Sequence, residues 1–128
     1  MFSFGLLHGL IYLNGTFVPG NLYVQDGKIA AVSSAELPCE HTQDAGGRMV
    51  LPGLIDPHVH FSLTVGAHTS SDDFYTGSVQ AALGGVTTYI DFIDPVRSAD
   101  ELHEAYRVRR ALAERSALDY GLHCAVRG

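Results

Sequence analysis

The chain has 128 residues, a normal length for one domain, and 46% of them are hydrophobic, enough for a folded core. The formal charge is −6 and the cations do not cluster apart from Arg107, Arg109 and Arg110, which lie on an expected helix and read as a solvated face, so nucleic acid is not expected as the main partner. Cys39 and Cys124 lie far apart without metal spacing and read as free thiols of a cytoplasmic protein.

The apolar start, Met1 to Leu13, lacks a basic flank and a cleavage site and is too short to span a bilayer. It reads as a first strand, and no membrane association is expected. Residues from about Leu6 to Leu51 look like a small β unit. Leu10 to Leu13 is an apolar run turned by Asn14-Gly15, a dipeptide that tolerates the left-handed backbone of a two-residue hairpin. Thr16 to Val18 continues it, with Pro19-Gly20 as a break. Leu22 to Gln25 and Lys28 to Ser33 flank Asp26-Gly27, a second hairpin signal, and Arg48 to Leu51 makes another short strand.

The pattern changes after Pro52-Gly53. Leu54 to Phe61 reads as a buried strand and residues 62–71 as a loop. A helix is expected from Asp72 to Leu83, opened by a Ser70-x-x-Asp73 capping box and stopped by Gly84-Gly85. Its apolar side would be Phe74, Val79, Ala82 and Leu83. Val86 to Ile93 is β-branched and aromatic, a second strand. Ser98-x-x-Glu101 caps a second helix running to about Arg115, with Leu102, Ala105, Tyr106, Arg109 and Leu112 near one stripe and Arg110 paired to Glu114. Leu118 to Val126 is a third strand. Strands alternating with helices imply parallel pairing. An open doubly wound sheet and the start of a (β/α) barrel both fit. The absence of G-x-G-x-x-G in the first strand-to-helix loop weakens the dinucleotide-binding version, and ligands at a strand's C-terminal end suit a barrel.

Asp56, His58 and His60 alternate, so they are expected on one strand face, with two imidazoles able to reach one metal ion. Asp56 is placed to orient one of them. His123 is expected as a hydrogen-bonded core residue and His68 as a solvated loop residue. His8, His41 and His103 carry no spacing signal. Asp91 and Asp94 end the second strand, as caps or as groups near a site.

The run Leu51-Pro52-Gly53-Leu54-Ile55-Asp56-Pro57-His58-Val59-His60 resembles the signature of the amidohydrolase superfamily. Asp72 to Gly77, Gly84 to Phe92 and Asp119 to His123 resemble its hydantoinase and dihydropyrimidinase branch. The resemblance implies an α/β fold: residues 1–51 as the N-terminal part of a small β-sandwich, and residues 52–128 as the first three strands and two helices of an incomplete (β/α)8 barrel. It implies a hydrolase of cyclic amides such as dihydropyrimidines or hydantoins. Two metal ions, usually zinc, activate a water for attack on the ring carbonyl, and a late aspartate carries the proton. His58 and His60 would hold the more buried metal. Leu63 and Val65 would line the pocket for the ring substituent, where relatives often carry Met-Pro-Phe. Family members are commonly homotetramers.

The family's metal-bridging lysine has no counterpart, because the single lysine, Lys28, lies in the β unit. Two further histidines and the aspartate come from strands beyond the third. The chain is therefore expected to be the N-terminal quarter to third of such an enzyme, with at most a partial zinc site and no activity alone. The alternatives are a non-catalytic dihydropyrimidinase-related scaffold, another amidohydrolase such as allantoinase or dihydroorotase, and a self-contained metal module. Scaffold relatives typically lose the H-x-H kept here, and Cys39 and Cys124 are badly placed to complete a structural site.

Overall fold

Asn14-Gly15 and Asp26-Gly27 adopt positive φ at both positions, 51° and 87°, then 52° and 71°. This mirror-image turn matches the right-handed twist of the strands it joins. The two turns fold β1 (Phe2–Leu13), β2 (Thr16–Gln25) and β3 (Lys28–Ser33) into an antiparallel meander. β4 (Cys39–Asp44) and β5 (Met49–Val50) then pair parallel to β1, giving the order β3-β2-β1-β4 with β5 also on β1.

β1, from Phe2, matches the first strand expected over Met1 to Leu13, but β2 runs unbroken through Pro19-Gly20. Pro19 pairs with Leu10 beyond the last β2–β3 pair, Asn21 with Ser33, so its missing N–H interrupts no bond on that side. The irregularity falls instead on β1, where the register shifts between Leu6 and Gly9 and His8 takes a φ of 55°. β4 was not anticipated, because Cys-Glu-His-Thr-Gln-Asp has little strand propensity and only Cys39 is half-buried. Tyr23 anchors the core of this sheet. It is fully buried opposite Gly5, where a Cβ would meet its ring and the Cys39 sulfur. Its hydroxyl donates to the Ala35 carbonyl and accepts from the Leu37 N–H.

The structure is a computed structural model that describes residues 1–127. The meander belongs to one compact unit, Met1–Pro52, and a second begins at Gly53. In the second unit β6 (Leu54–Asp56) leads to a hairpin of β7 (Thr64–Val65) and β8 (His68–Thr69) within the segment expected as a loop. Then follow α1 (Phe74–Leu83), β9 (Val86–Phe92), α2 (Ala99–Ala113) and β10 (Asp119–His123). β6, β9 and β10 form a parallel sheet in the order β10-β9-β6. The chain is thus a mixed α/β protein, and the parallel pairing is as expected.

The helix boundaries differ in instructive ways. The capping box of α1 is closed by Asp73, which accepts from the Thr76 N–H at 2.8 Å while the Thr76 hydroxyl accepts from the Asp73 N–H at 3.0 Å. Ser70 instead clasps the base of the hairpin, its hydroxyl accepting from Leu63 N–H and its own N–H donating to the Leu63 carbonyl. α1 buries Phe74, Gly77 and Ser78 rather than Ala82 and Leu83, since two small residues let the helix lie close to its neighbours. Gly85, at φ 87°, supplies the left-handed stop.

In α2, Ser98 caps as expected, but the Glu101 carboxylate accepts from the Arg97 N–H. Arg109 and Ala113 are its buried residues, whereas Tyr106 and Leu112 face solvent. Arg107 grips Glu104 through two hydrogen bonds, and among the described residues Arg110 and Glu114 form no ion pair. Phe74, Tyr89 and Ala113 make the core, with Val59, Phe61, Leu118 and Tyr120 packed against it. Among the described residues no helix is long and apolar enough to cross a membrane.

Candidate metal centre

β6 stops at Asp56, well short of the expected Phe61, because Pro57 has no N–H to give the ladder. The next N–H, that of His58, donates to Asp56 Oδ1 at 3.1 Å. Asp56 thus holds His58 by its backbone. Leu54 and Ile55 are 57% and 64% exposed, not buried, because β6 is an edge strand with only β9 beside it. Pairing resumes at Val59, whose N–H donates to the Ile90 carbonyl at 3.1 Å.

The segment from His58 to Phe61 keeps strand-like alternation outside the regular ladder. Val59 and Phe61 pack on the core cluster. The rings of His58 and His60 lie instead on Phe92, at 4.5 and 4.8 Å between centroids. Their Nε2 atoms stand 3.2 Å apart. His123 joins from the end of β10, its ring tilted against Phe92 at 4.7 Å and its Nε2–H donating to the Pro57 carbonyl at 3.1 Å. It is hydrogen-bonded as expected, though only half-buried. Three histidines are therefore gathered around Phe92 at the C-terminal ends of parallel strands, where α/β folds place their sites.

The Nε2 separation serves two arrangements. One neutral ring can donate to the other's lone pair, or both lone pairs can face one cation. Two imidazole nitrogens on a tetrahedral zinc, each at roughly 2.05 Å, stand about 3.3 Å apart. The histidine pair fits that requirement in chemistry and spacing. Among the described residues no group of three or more His, Cys, Asp or Glu gathers to hold a metal, so the pair is a partial donor set.

Leu63 and Val65 lie on the hairpin and are 37% and 66% exposed. His68 pairs with Val65 across the hairpin turn and faces solvent. Ser62, just before this hairpin, has a φ of 49°, a left-handed conformation that costs a non-glycine residue about 1–2 kcal/mol. Its N–H is held by the Asp72 carbonyl at 2.8 Å.

Two groups were missed from sequence. Arg109, expected on a solvated face, and Asp91, expected as a strand end, meet as a buried ion pair at 2.7 Å. The other is in the first unit, where both ring nitrogens of His8 meet carboxylates, Nε2 with Glu36 at 3.1 Å and Nδ1 with Asp44 at 3.2 Å. Glu36 first and then Asp44 raise the His8 pKa above its ordinary value. The Gly46 N–H first and then His8 lower that of Asp44. The left-handed His8 backbone, pinned by Asn21 Oδ1 on its N–H, aims the ring there, and no local spacing in the sequence announces it.

The sequence model of the amidohydrolase family matches residues 41–117, more than half of the chain and including His58 and His60. The chain belongs to the amidohydrolase family. Within it, the chain is 42% identical over 125 residues to a D-hydantoinase of Rhizobium radiobacter, covering 91% of this chain and 27% of that protein. It is 41% identical over 107 residues to a dihydroorotase of Methanothermobacter thermautotrophicus, covering 84% and 24%. The crystal structure of a dihydropyrimidinase from Brevibacillus agri superposes with a TM-score of 0.87 at 29% identity, over 97% of this chain and 27% of that one. The resemblance to the hydantoinase and dihydropyrimidinase branch is therefore borne out. The chain spans about a quarter of the length of these amidohydrolase relatives.

Proposed function

We propose that the chain supplies the first metal-ligand segment of a hydrolase that opens cyclic amides such as hydantoins or dihydropyrimidines. One observation carries the reading: two Nε2 atoms meet at 3.2 Å past the end of a parallel strand, in a chain that follows hydantoinases almost throughout. His58 and His60 would hold one zinc ion. Bound zinc lowers the pKa of water and polarises a carbonyl oxygen. Asp56 fixes the His58 backbone, and Leu63 and Val65 offer apolar contact to a ring substituent.

In the same reading residues 1–51 are part of a β-sandwich and residues 52–128 begin a (β/α)8 barrel. The parallel order β10-β9-β6 and the exposed Leu54 and Ile55 on the β6 edge support it, since an edge of that kind calls for a further strand. The family resemblance adds a homotetramer. A cytoplasmic setting accords with two free thiols. The dihydroorotase relative keeps a second cyclic amide, dihydroorotate, among the substrates to be tried.

The test starts from the coding sequence past the Gly128 codon. The reading expects an in-frame continuation with a lysine, two histidines and an aspartate at barrel-strand ends. The resulting zinc-loaded protein should hydrolyse hydantoin, dihydrouracil, dihydroorotate or allantoin, and His58→Asn should abolish both activity and metal retention. A metal-loaded product that opens none of these rings contradicts the reading.

A further inference from the structure

Asp91 is completely buried on β9 and Arg109 nearly so on α2. Arg109 Nη2 donates to Asp91 Oδ1 at 2.7 Å and to Oδ2 at 2.9 Å. Taking two charges out of water is expensive, and their attraction often does no more than offset it, so stability alone is a weak reason for such a pair. A third partner shows what else it does. The same Nη2 donates to the Phe61 carbonyl, and the Phe61 N–H donates to Asp91 Oδ2 at 3.3 Å. The two charges therefore hold the two peptide groups on either side of the Phe61 Cα.

Phe61 directly follows His60. One residue before His60, the Val59 N–H is tied to the Ile90 carbonyl of β9. His60 is thus fastened to one strand immediately before and immediately after itself. Alternation along β9 puts Asp91 on the side of α2 and Phe92 on the side where the His58 and His60 rings rest. The Phe61 ring completes the hold. It lies 5.0 Å from the Tyr89 ring and against Gly77 of α1, where a Cβ would overlap it.

We propose that the buried Asp91–Arg109 pair is a positioning device: by clamping the peptide groups of Phe61 it holds His60 Nε2 beside His58 Nε2 in the orientation a divalent metal needs. This rests on the reading of His58 and His60 as metal ligands. Neither Asp91 nor Arg109 touches the metal.

The test is a titration of the full chain with zinc alone, followed through the ring nitrogen resonances of the histidines, with thermal unfolding recorded for each variant. His58→Asn comes first. Loss of the shared zinc response establishes the ligand reading, and an unchanged response removes that reading and the proposal with it. The decisive variant is the double replacement Asp91→Leu with Arg109→Met, because apolar substitutes for a buried pair are often tolerated. Zinc affinity should fall roughly 10–100-fold in it while the unfolding midpoint stays near that of the parent. Arg109→Lys, which keeps the charge but carries it on a flexible stem that need not place its nitrogen where Nη2 now bonds Asp91 and the Phe61 carbonyl, should fall less. Unchanged zinc affinity in a folded double variant overturns the proposal. Should the double variant not fold, Arg109→Lys decides: parental zinc affinity overturns the proposal, and weakened affinity at a parental midpoint supports it.

Discussion

His8 in the first unit and the His58–His60 pair in the second show how surroundings decide what an imidazole can do. Both ring nitrogens of His8 are taken by carboxylates, Glu36 and Asp44, so its surroundings favour the protonated ring and leave no lone pair for a metal. The His58 and His60 rings meet each other and Phe92, and among the described residues no carboxylate reaches either ring. Both clusters involve irregular backbone: a left-handed His8 in one unit, a strand stopped at Pro57 in the other. The difference lies in what stands opposite. Acidic side chains make a charged surface cluster, and an aromatic floor leaves two imidazoles facing each other without a carboxylate partner.

The comparison breaks most readily at Arg109. Arg109→Met alone strands the Asp91 carboxylate in the core and should cost about 3–5 kcal/mol in denaturant unfolding. Gly77→Ala should be next. Its methyl would push the Phe61 ring, at roughly 1–3 kcal/mol, and should weaken zinc binding while leaving the His8 cluster untouched. A Gly77→Ala variant of parental stability and zinc affinity would show that the Phe61 packing is not tight. Asp73→Ala removes the α1 capping box and should cost about 1 kcal/mol, with hydrogen exchange increased in the first turn of α1.

The smallest effect is the pH dependence of the first unit. His8 is raised from 6.5, so its contribution is complete below that value and is lost as pH rises through the raised one. Asp44 is lowered from 3.8, so its contribution is present above that value and is lost as pH falls through the lowered one. The cluster should therefore help most between 3.8 and 6.5. Thermal unfolding of His8→Gln should flatten the fall in stability on the alkaline side of that window. Both groups are exposed, so the change should be small.

What was legible in the sequence had a local cause. Asn14-Gly15 and Asp26-Gly27 turn as read because only a few residues accept their backbone. The parallel sheet followed from the alternation of strand-like and helix-like runs, and the histidine pair from its motif. What was not legible depends on partners distant in the chain. β4 is polar and becomes a strand only by pairing with β1. Arg109 looks like one of three solvated arginines until Asp91, eighteen residues earlier, draws it inward. Ser70 and Asp73 are each able to open a capping box, and the hairpin's claim on Ser70 decides between them. The face shared by the histidines was read correctly, but the extended segment carrying them is held by Asp56, Ile90 and the clamp on Phe61 rather than by a regular ladder.

X-ray absorption at the zinc edge on the zinc-loaded full chain tests the central claim most directly. The account predicts two imidazole nitrogens at roughly 2.0–2.1 Å, with the remaining positions filled by water oxygens, falling to a single imidazole in His58→Asn and unchanged in His8→Gln. A sulfur shell at about 2.3 Å, or an imidazole count that responds to His8 and not to His58, would contradict it.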